Sequence, residues 1–101
     1  MKRDMDLVRR ILIEIEERND FDDPYVPEIE GKTEHEIFYH IKIMHEAGLI
    51  EASNWSGDGG PHWLAKSLTN TGHDFLDAAR NENLWAKAKS KVLSFGGALT
   101  L

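Results

Sequence analysis

The stretch that decides the fold is Thr33–Ile50, which reads TEHEIFYHIKIMHEAGLI. Thr33 and Glu36 have the spacing of a capping box, in which each side chain bonds the backbone N–H of the other residue. Apolar residues then recur at helical spacing and form an inward face: Ile37, Ile41 and Met44. The pattern predicts a capped helix over 34–47, ended by Gly48 in the position after the helix.

A strand pattern follows this helix directly. Two segments with strand character, Leu49–Trp55 and Trp63–Leu68, lie on either side of the glycine-rich segment Ser56–Pro61, which cannot be helical. This arrangement predicts a β-hairpin with a loop tip over 56–61. Upstream, an apolar stripe predicts a first helix over about 4–17: Met5, Val8, Leu12 and Ile15.

The segment between the first two helices has turn chemistry. Val26–Glu30 could form a short strand, which Pro27 would confine to a sheet edge. Downstream of the hairpin we expect a helix over 70–81 that buries Phe75, Leu76 and Ala79, and a closing helix over 83–94. We expect one domain over 1–101, with a core in 1–82 and a C-terminal helix and tail in 83–101.

The order of these elements resembles a winged helix. His40–Ile50 is similar to a recognition helix entering the first wing strand, and Leu68–Leu76 is similar to the Leu-Thr-x-x-Gly-x-x-x-Leu step after the wing. Three segments also resemble an uncharacterised family of bacterial and prophage proteins with YjcQ-like relatives: 1–7, 72–80 and 84–87. The winged-helix resemblance implies an α+β fold, DNA binding in transcription regulation, and dimerisation through terminal helices, whereas the uncharacterised family brings no established biochemistry.

One departure from the winged-helix pattern concerns the second helix. Residues 19–32, in its place, are acidic and broken by two prolines, so we expect a degenerate second helix. The closing helix over 83–94 would be an extra C-terminal element.

Composition restricts the classes of function. The 101 residues carry a net charge of −6 and contain no cysteine, which excludes disulfides, thiolate zinc sites and cysteine nucleophiles. Residues 19–36 hold seven acids and one base. This acidic segment is either a solvated loop or a surface that repels phosphate and attracts a basic partner.

A DNA-binding interpretation would use three groups of residues. The outward recognition face would be His35, Tyr39, Lys42 and Ile43, with His40 on its flank. The wing would contribute Asn54, Ser56, His62 and Lys66. Phosphate contacts would come from Lys2, Arg3, Arg9 and Arg10.

The same outward face also fits a protein contact. It offers one lysine, two glutamates and the apolar pair Tyr39 and Ile43, whereas base readout normally uses Arg, Lys, Asn or Gln. The pair is either a protein-binding patch or an ordinary case of exposed apolar side chains. Two hypotheses therefore remain: a DNA-binding regulator, and an acidic module that modulates a protein partner.

Catalytic and metal chemistry find little support. His35 and His40 are five residues apart, one more than a zincin pair, so their rings diverge by about 140° on a helix. We expect no metal, no cofactor, no catalytic residues and no enzyme activity. No apolar run is long enough to span a bilayer, and the expected location is the cytoplasm.

The closing helix has three possible roles. Its lysines lie opposite an aromatic stripe, which suits a membrane surface, packing on the core, or a second subunit. We expect no membrane association and a possible homodimer through Trp85, Val92 and Phe95.

Overall fold

The computed structural model describes residues 1–57, 59–81, 83 and 85–86. Its elements are α1 (Met5–Glu17), α2 (Glu34–Glu46), β1 (Ile50–Gly57), β2 (Gly60–Leu68) and α3 (Asn70–Ala79). The two strands form one antiparallel sheet, so the predicted α+β class is confirmed. Asn83, Trp85 and Ala86 are also helical, and the rest of the predicted closing helix lies outside the described residues.

Side-chain caps set the starts of α1 and α2. The Asp4 carboxylate accepts from the N–H groups of Asp6 (3.0 Å) and Leu7 (3.2 Å). The Thr33 hydroxyl accepts from the Glu36 N–H (3.1 Å). The predicted capping box is only half correct, because the Glu36 carboxylate lies 3.4 Å from the Thr33 hydroxyl instead of bonding its N–H.

The core lies where α1 and α2 meet the hairpin. Gly48 ends α2 with φ +78°, as predicted, and turns the chain towards β1. The buried cluster draws on both helices, the sheet and α3: Leu7, Val8, Ile11, Leu12, Ile15, Ile29, Ile37, Ile41, Met44, Leu49, Ile50, Ala65 and Leu76.

The hairpin is confirmed, but its strands are longer than predicted. Ser56 pairs with Pro61 and Gly57 pairs with Gly60, so the ladder runs through most of the predicted loop tip. Gly59 and Gly60 adopt φ +108° and +97° where the chain enters β2, a backbone conformation that favours glycine. A bulge between Glu51 and Ala52 shifts the register near the other end.

The predicted strand over 26–30 is wrong. Tyr25 instead makes one bridge to Ala65, with N–H to carbonyl distances of 2.9 and 2.8 Å in the two directions. Pro27 has no N–H with which to continue the ladder. Residues 18–33, all of which are described, contain no helix, as the acidic and proline-broken sequence predicts.

The junction between β2 and α3 is clasped to the end of α2. The Thr69 N–H donates to the Leu49 carbonyl (3.0 Å), and its hydroxyl donates to the Gly48 carbonyl (2.5 Å). The same hydroxyl caps α3 by accepting from the Gly72 N–H (3.0 Å). The motif Leu68–Gly72 therefore has a structural role, and we call these hydrogen bonds of Thr69 to Gly48 and Leu49 the clasp.

Helix α3 ends at Ala79, two residues earlier than predicted. Asn81 already caps the next helical segment, because its side chain accepts from the Asn83 N–H (3.0 Å) and its carbonyl from the Trp85 N–H (2.8 Å). Among the described residues, no helix has the length and apolar character needed to cross a bilayer.

Candidate interaction surface

The predicted recognition face is less exposed and less basic than expected. His35 is exposed, but Tyr39 and Ile43 are half-buried, so they do not form an exposed apolar pair. Lys42 forms an ion pair with Glu46 one turn later. The ion pair engages Lys42, the one lysine on this face that could contact a phosphate.

His40, which the sequence places on the flank of the recognition face, is buried and only 2% exposed. Its Nε2 accepts from the Asp4 N–H (2.9 Å), and its Nδ1 lies 2.8 Å from the Glu36 carbonyl. The carbonyl can only accept, so Nδ1 carries the proton. Both ring nitrogens are engaged within the chain, which removes His40 from any contact with DNA.

The hairpin presents an aromatic side chain that the site prediction missed. Trp55 is 61% exposed and is the register partner of His62. The His62 ring stacks on Phe38 of α2, with ring centroids 5.1 Å apart and an interplanar angle of 28°. We call Phe38, Trp55 and His62 the aromatic surface. Cross-strand partners share a sheet face, a relation that appears only once the register is known.

The other predicted wing residues are placed differently. Asn54 is exposed and pairs with Trp63, which lies 5.6 Å from the His45 ring on α2. Ser56 contributes its backbone to β1. The Lys66 ammonium lies 4.0 Å from an Asp22 carboxylate oxygen, so it too faces an acid.

Lys32 is also held by acids. Its ammonium lies 3.2 Å from the Asp4 carboxylate and 3.9 Å from that of Glu36. Partial burial raises the pKa of Asp4, but the Leu7 N–H and Lys32 outweigh it, so the pKa lies below its ordinary value of 3.8. Lys32, Lys42 and Lys66 thus each have a carboxylate within 4.0 Å.

The four predicted phosphate contacts divide between two places. Lys2 and Arg3 are exposed and precede Asp4, which the His40 bond places beside α2. Arg9 is half-buried, with its guanidinium 5.7 Å from the centroid of the Trp85 ring. Arg10 is exposed on α1.

The acidic segment has a fixed shape at its start. The Asp20 carboxylate accepts from the N–H groups of Asp23 and Asp22 (3.0 and 2.8 Å), which lowers the pKa of Asp20 below 3.8. Arg18 donates to the Asp23 carbonyl (2.5 Å) and lies 3.9 Å from the Tyr25 ring centroid. Burial raises the pKa of Tyr25 above its ordinary value of 10.0. Phe21, held in this turn, is 77% exposed.

A cleft of about 390 Å³ lies beside Phe21. It is formed by the end of α1, the acidic segment and the junction between β2 and α3, with Ile15, Glu16, Arg18, Leu68 and His73 among its lining residues. We call this space the Phe21 cleft.

The aromatic stripe of the closing helix begins with Trp85, which is 4% exposed. Its Nε1–H donates to the Asp6 carboxylate (3.0 Å), and its ring meets Phe75 edge-on at 6.2 Å. Trp85 thus packs on its own chain. Val92 and Phe95 lie outside the described residues, and the homodimer stays a prediction.

Among the residues with described positions, no group of three or more His, Cys, Asp and Glu side chains is arranged to hold a metal ion. His73 lies 3.9 Å from the Glu16 carboxylate. Arg80 forms an ion pair with the same carboxylate.

Comparison with known proteins identifies the family. The model of a family described as "Hypothetical protein (DUF2513)" matches residues 2–98. A Haemophilus influenzae protein described as "Uncharacterized protein" is 35% identical over 95 residues, which make up 93% of this chain and 80% of that protein. No solved structure matches the chain significantly. On the family match and this relative, the chain belongs to the DUF2513 family.

Proposed function

We propose that this chain is a protein-binding module whose aromatic surface contacts a partner protein. The order of helix, capped helix, hairpin and helix is compatible with a winged-helix arrangement. In that arrangement α2 occupies the position of a recognition helix and the hairpin that of the wing. Fold alone does not decide what such a face binds, so the proposal depends on its side chains.

The observation that carries the proposal is the exposure of Trp55. This large ring lies on a paired strand, opposite His62, so regular backbone holds it in solvent. Tryptophan is enriched among the residues that dominate protein–protein binding, because its ring buries a large area at a small entropic cost. His62, stacked on Phe38, extends the contact area towards α2.

Charge supports a protein partner over a nucleic acid. Phosphate contacts supply most of the affinity of nucleic-acid binders. Lys42 and Lys66 already face carboxylates, and Glu36 and Glu46 lie on the same helix as Lys42. A phosphate backbone brought to this face would meet acids beside each lysine.

Site-specific crosslinking in the source organism tests the proposal. A photoreactive phenylalanine analogue at position 55 is compared with the same analogue at Glu51. The control position is exposed on the same strand, about 13 Å away. We expect a discrete protein adduct from position 55 and none from position 51. Absence of adducts at position 55, or identical adducts at both, would refute a partner at the aromatic surface.

A DNA-binding regulator remains the second candidate, and one observation favours it. The hydrogen bond from the Asp4 N–H to His40 places the N-terminal residues Lys2 and Arg3 beside α2. Lys2, an exposed base there, would add a phosphate contact that α2 itself lacks. The signature of this function is an affinity that falls steeply as salt is raised.

A further inference from the structure

We infer that two copies of this chain pair through the outer edges of β1, which joins two hairpins into one four-stranded antiparallel sheet. The inference goes beyond the proposed function, because it concerns the backbone of β1 and a second copy of the same chain. Three features support it: the hydrogen-bonding pattern of the hairpin, the residues along the edge, and the fit of the edge to itself.

The backbone of β1 directs alternate hydrogen-bonding groups away from β2. Ala65 uses its N–H and its carbonyl to bond Tyr25, so both groups point away from its register partner Ala52. In an antiparallel pair, two residues opposite each other either bond across the pair or both point outward. The register is regular beyond the bulge, so the outward residues of β1 are Ala52, Asn54 and Ser56.

The two edges of the hairpin differ in how they are protected. The edge of β2 is covered by Tyr25 and contains Pro61, which has no N–H to offer. Within the part of the chain that the structure describes, no hydrogen bond occupies the outward backbone groups of β1. Residues 52–57 also contain no charge and no proline, which are devices that block an exposed strand edge. This edge is therefore open to a further strand.

The edge is complementary to a second copy of itself. An antiparallel pair centred on Asn54 uses all three outward residues of each copy and forms about six backbone hydrogen bonds. Asn54 then meets Asn54 of the second copy, and the two amides can bond each other because each has a donor and an acceptor. Glu51 lies opposite Gly57 of the second copy, so no like charges oppose each other within 51–57. A two-fold axis of this kind is the commonest symmetry of protein dimers.

The pairing leaves room for the aromatic surface. Trp55 lies opposite Ser53 of the second copy, so a small side chain faces the exposed ring across the new strand pair. Both Trp55 rings lie on the same face of the joined sheet, because residues 53 and 55 share a face of the strand. The dimer thus presents two aromatic surfaces together.

Sedimentation equilibrium of the purified full chain tests the inference. We expect the mass to rise with concentration from 11.5 kDa towards about 23 kDa, that of a two-fold dimer. Asn54→Pro removes an outward N–H without removing a hydrogen bond of the hairpin, and we expect it to stay at the monomer mass. Asn54→Ala keeps the N–H and is the matched control, which should still dimerise.

Three outcomes of this experiment would overturn the inference. They are a wild-type chain that stays monomeric, a dimer that Asn54→Pro leaves intact, and equal loss of the dimer in Asn54→Pro and Asn54→Ala. The sample contains this chain alone, so a monomeric result would leave the proposed partner at the aromatic surface unaffected.

Disulfide formation gives a second measurement that does not depend on the proline variant. The chain has no cysteine, so Asn54→Cys places one thiol of each copy beside the two-fold axis. Hydrogen-bonded antiparallel partners have Cα atoms about 5.5 Å apart, a separation that a disulfide can span. Glu51 is the control, since its two copies lie about 20 Å apart in this pairing. We expect mild oxidation to crosslink Asn54→Cys at least about ten times faster than Glu51→Cys, and equal rates would contradict a pair centred on Asn54.

Discussion

His40 connects the N-terminus to the middle of α2. Its ring is buried, and its two nitrogens have opposite roles, since one accepts from a backbone N–H and the other faces a carbonyl. The sequence alone placed His40 on the flank of the recognition face, because helical periodicity puts it between the inward and outward faces. The deciding partner, Asp4, lies 36 residues away and leaves no local signal.

We expect His40 to be the neutral tautomer that carries its proton on Nδ1. The Asp4 N–H needs a lone pair on Nε2, and the Glu36 carbonyl needs a proton from Nδ1. Long-range ¹⁵N–¹H correlation of the imidazole nitrogens measures the tautomer directly. The exposed His35 serves as the reference. A proton on Nε2 at neutral pH would show that the contact with Asp4 is absent.

The lowered pKa of Asp4 predicts that the folded protein loses stability in acid. Because its pKa is lowered in the folded chain, its contribution is present above the ordinary value of 3.8 and is lost as the pH falls through the lower, folded value. Asp4→Asn keeps a capping side chain but lacks the charge that faces Lys32. We expect the wild type to be more stable than this variant near neutral pH, with the difference shrinking towards about pH 3. A difference in unfolding free energy that is constant with pH would contradict the prediction.

The clasp between the α2–β1 turn and α3 determines how the elements pack. A Cβ built on Gly72 would lie 1.9 Å from the Leu49 carbonyl oxygen, so the backbone of α3 reaches that turn only because residue 72 has no side chain. Thr69 completes the clasp with its two hydrogen bonds. The Leu-Thr-x-x-Gly pattern thus has a packing explanation that requires no ligand.

Gly72→Ala should destabilise the protein by about 3 kcal/mol or more, because backbone must move to admit the methyl group. Urea denaturation measures the change. Gly57→Ala is the matched control, since a Cβ there meets no atom within 4 Å, and we expect a change within about 0.5 kcal/mol. Similar losses of unfolding free energy in both variants would show that α3 does not approach the Leu49 carbonyl this closely.

Elements set by local chemistry could be predicted from the sequence. Thr33 caps α2, Gly48 ends it, and the glycine-rich run marks the hairpin, because each effect acts within a few residues. Tyr25 illustrates what could not be predicted, since its pairing with Ala65 spans 40 residues and replaces the expected strand. The exposed Trp55 was missed for a similar reason, because its face follows from a register with a bulge.

At the scale of the whole molecule, carboxylates lie beside lysines in three segments: the acidic segment, α2 and β2. Lys32, Lys42 and Lys66 each face a carboxylate, and Asp22 of the acidic segment supplies the one beside Lys66. On the hairpin, the Trp55 side chain is left 61% exposed. The overall charge pattern therefore favours a protein partner over a phosphate backbone.

The most direct test of the proposal that this face binds a protein and not DNA is a titration of DNA binding against salt. Fluorescence anisotropy of mixed-sequence duplexes is measured with the wild type and with Lys42→Glu. We expect no binding at about 0.15 M salt and no effect of the substitution. Binding that weakens steeply with salt, and that Lys42→Glu reduces further, would contradict the assignment of this face to a protein partner.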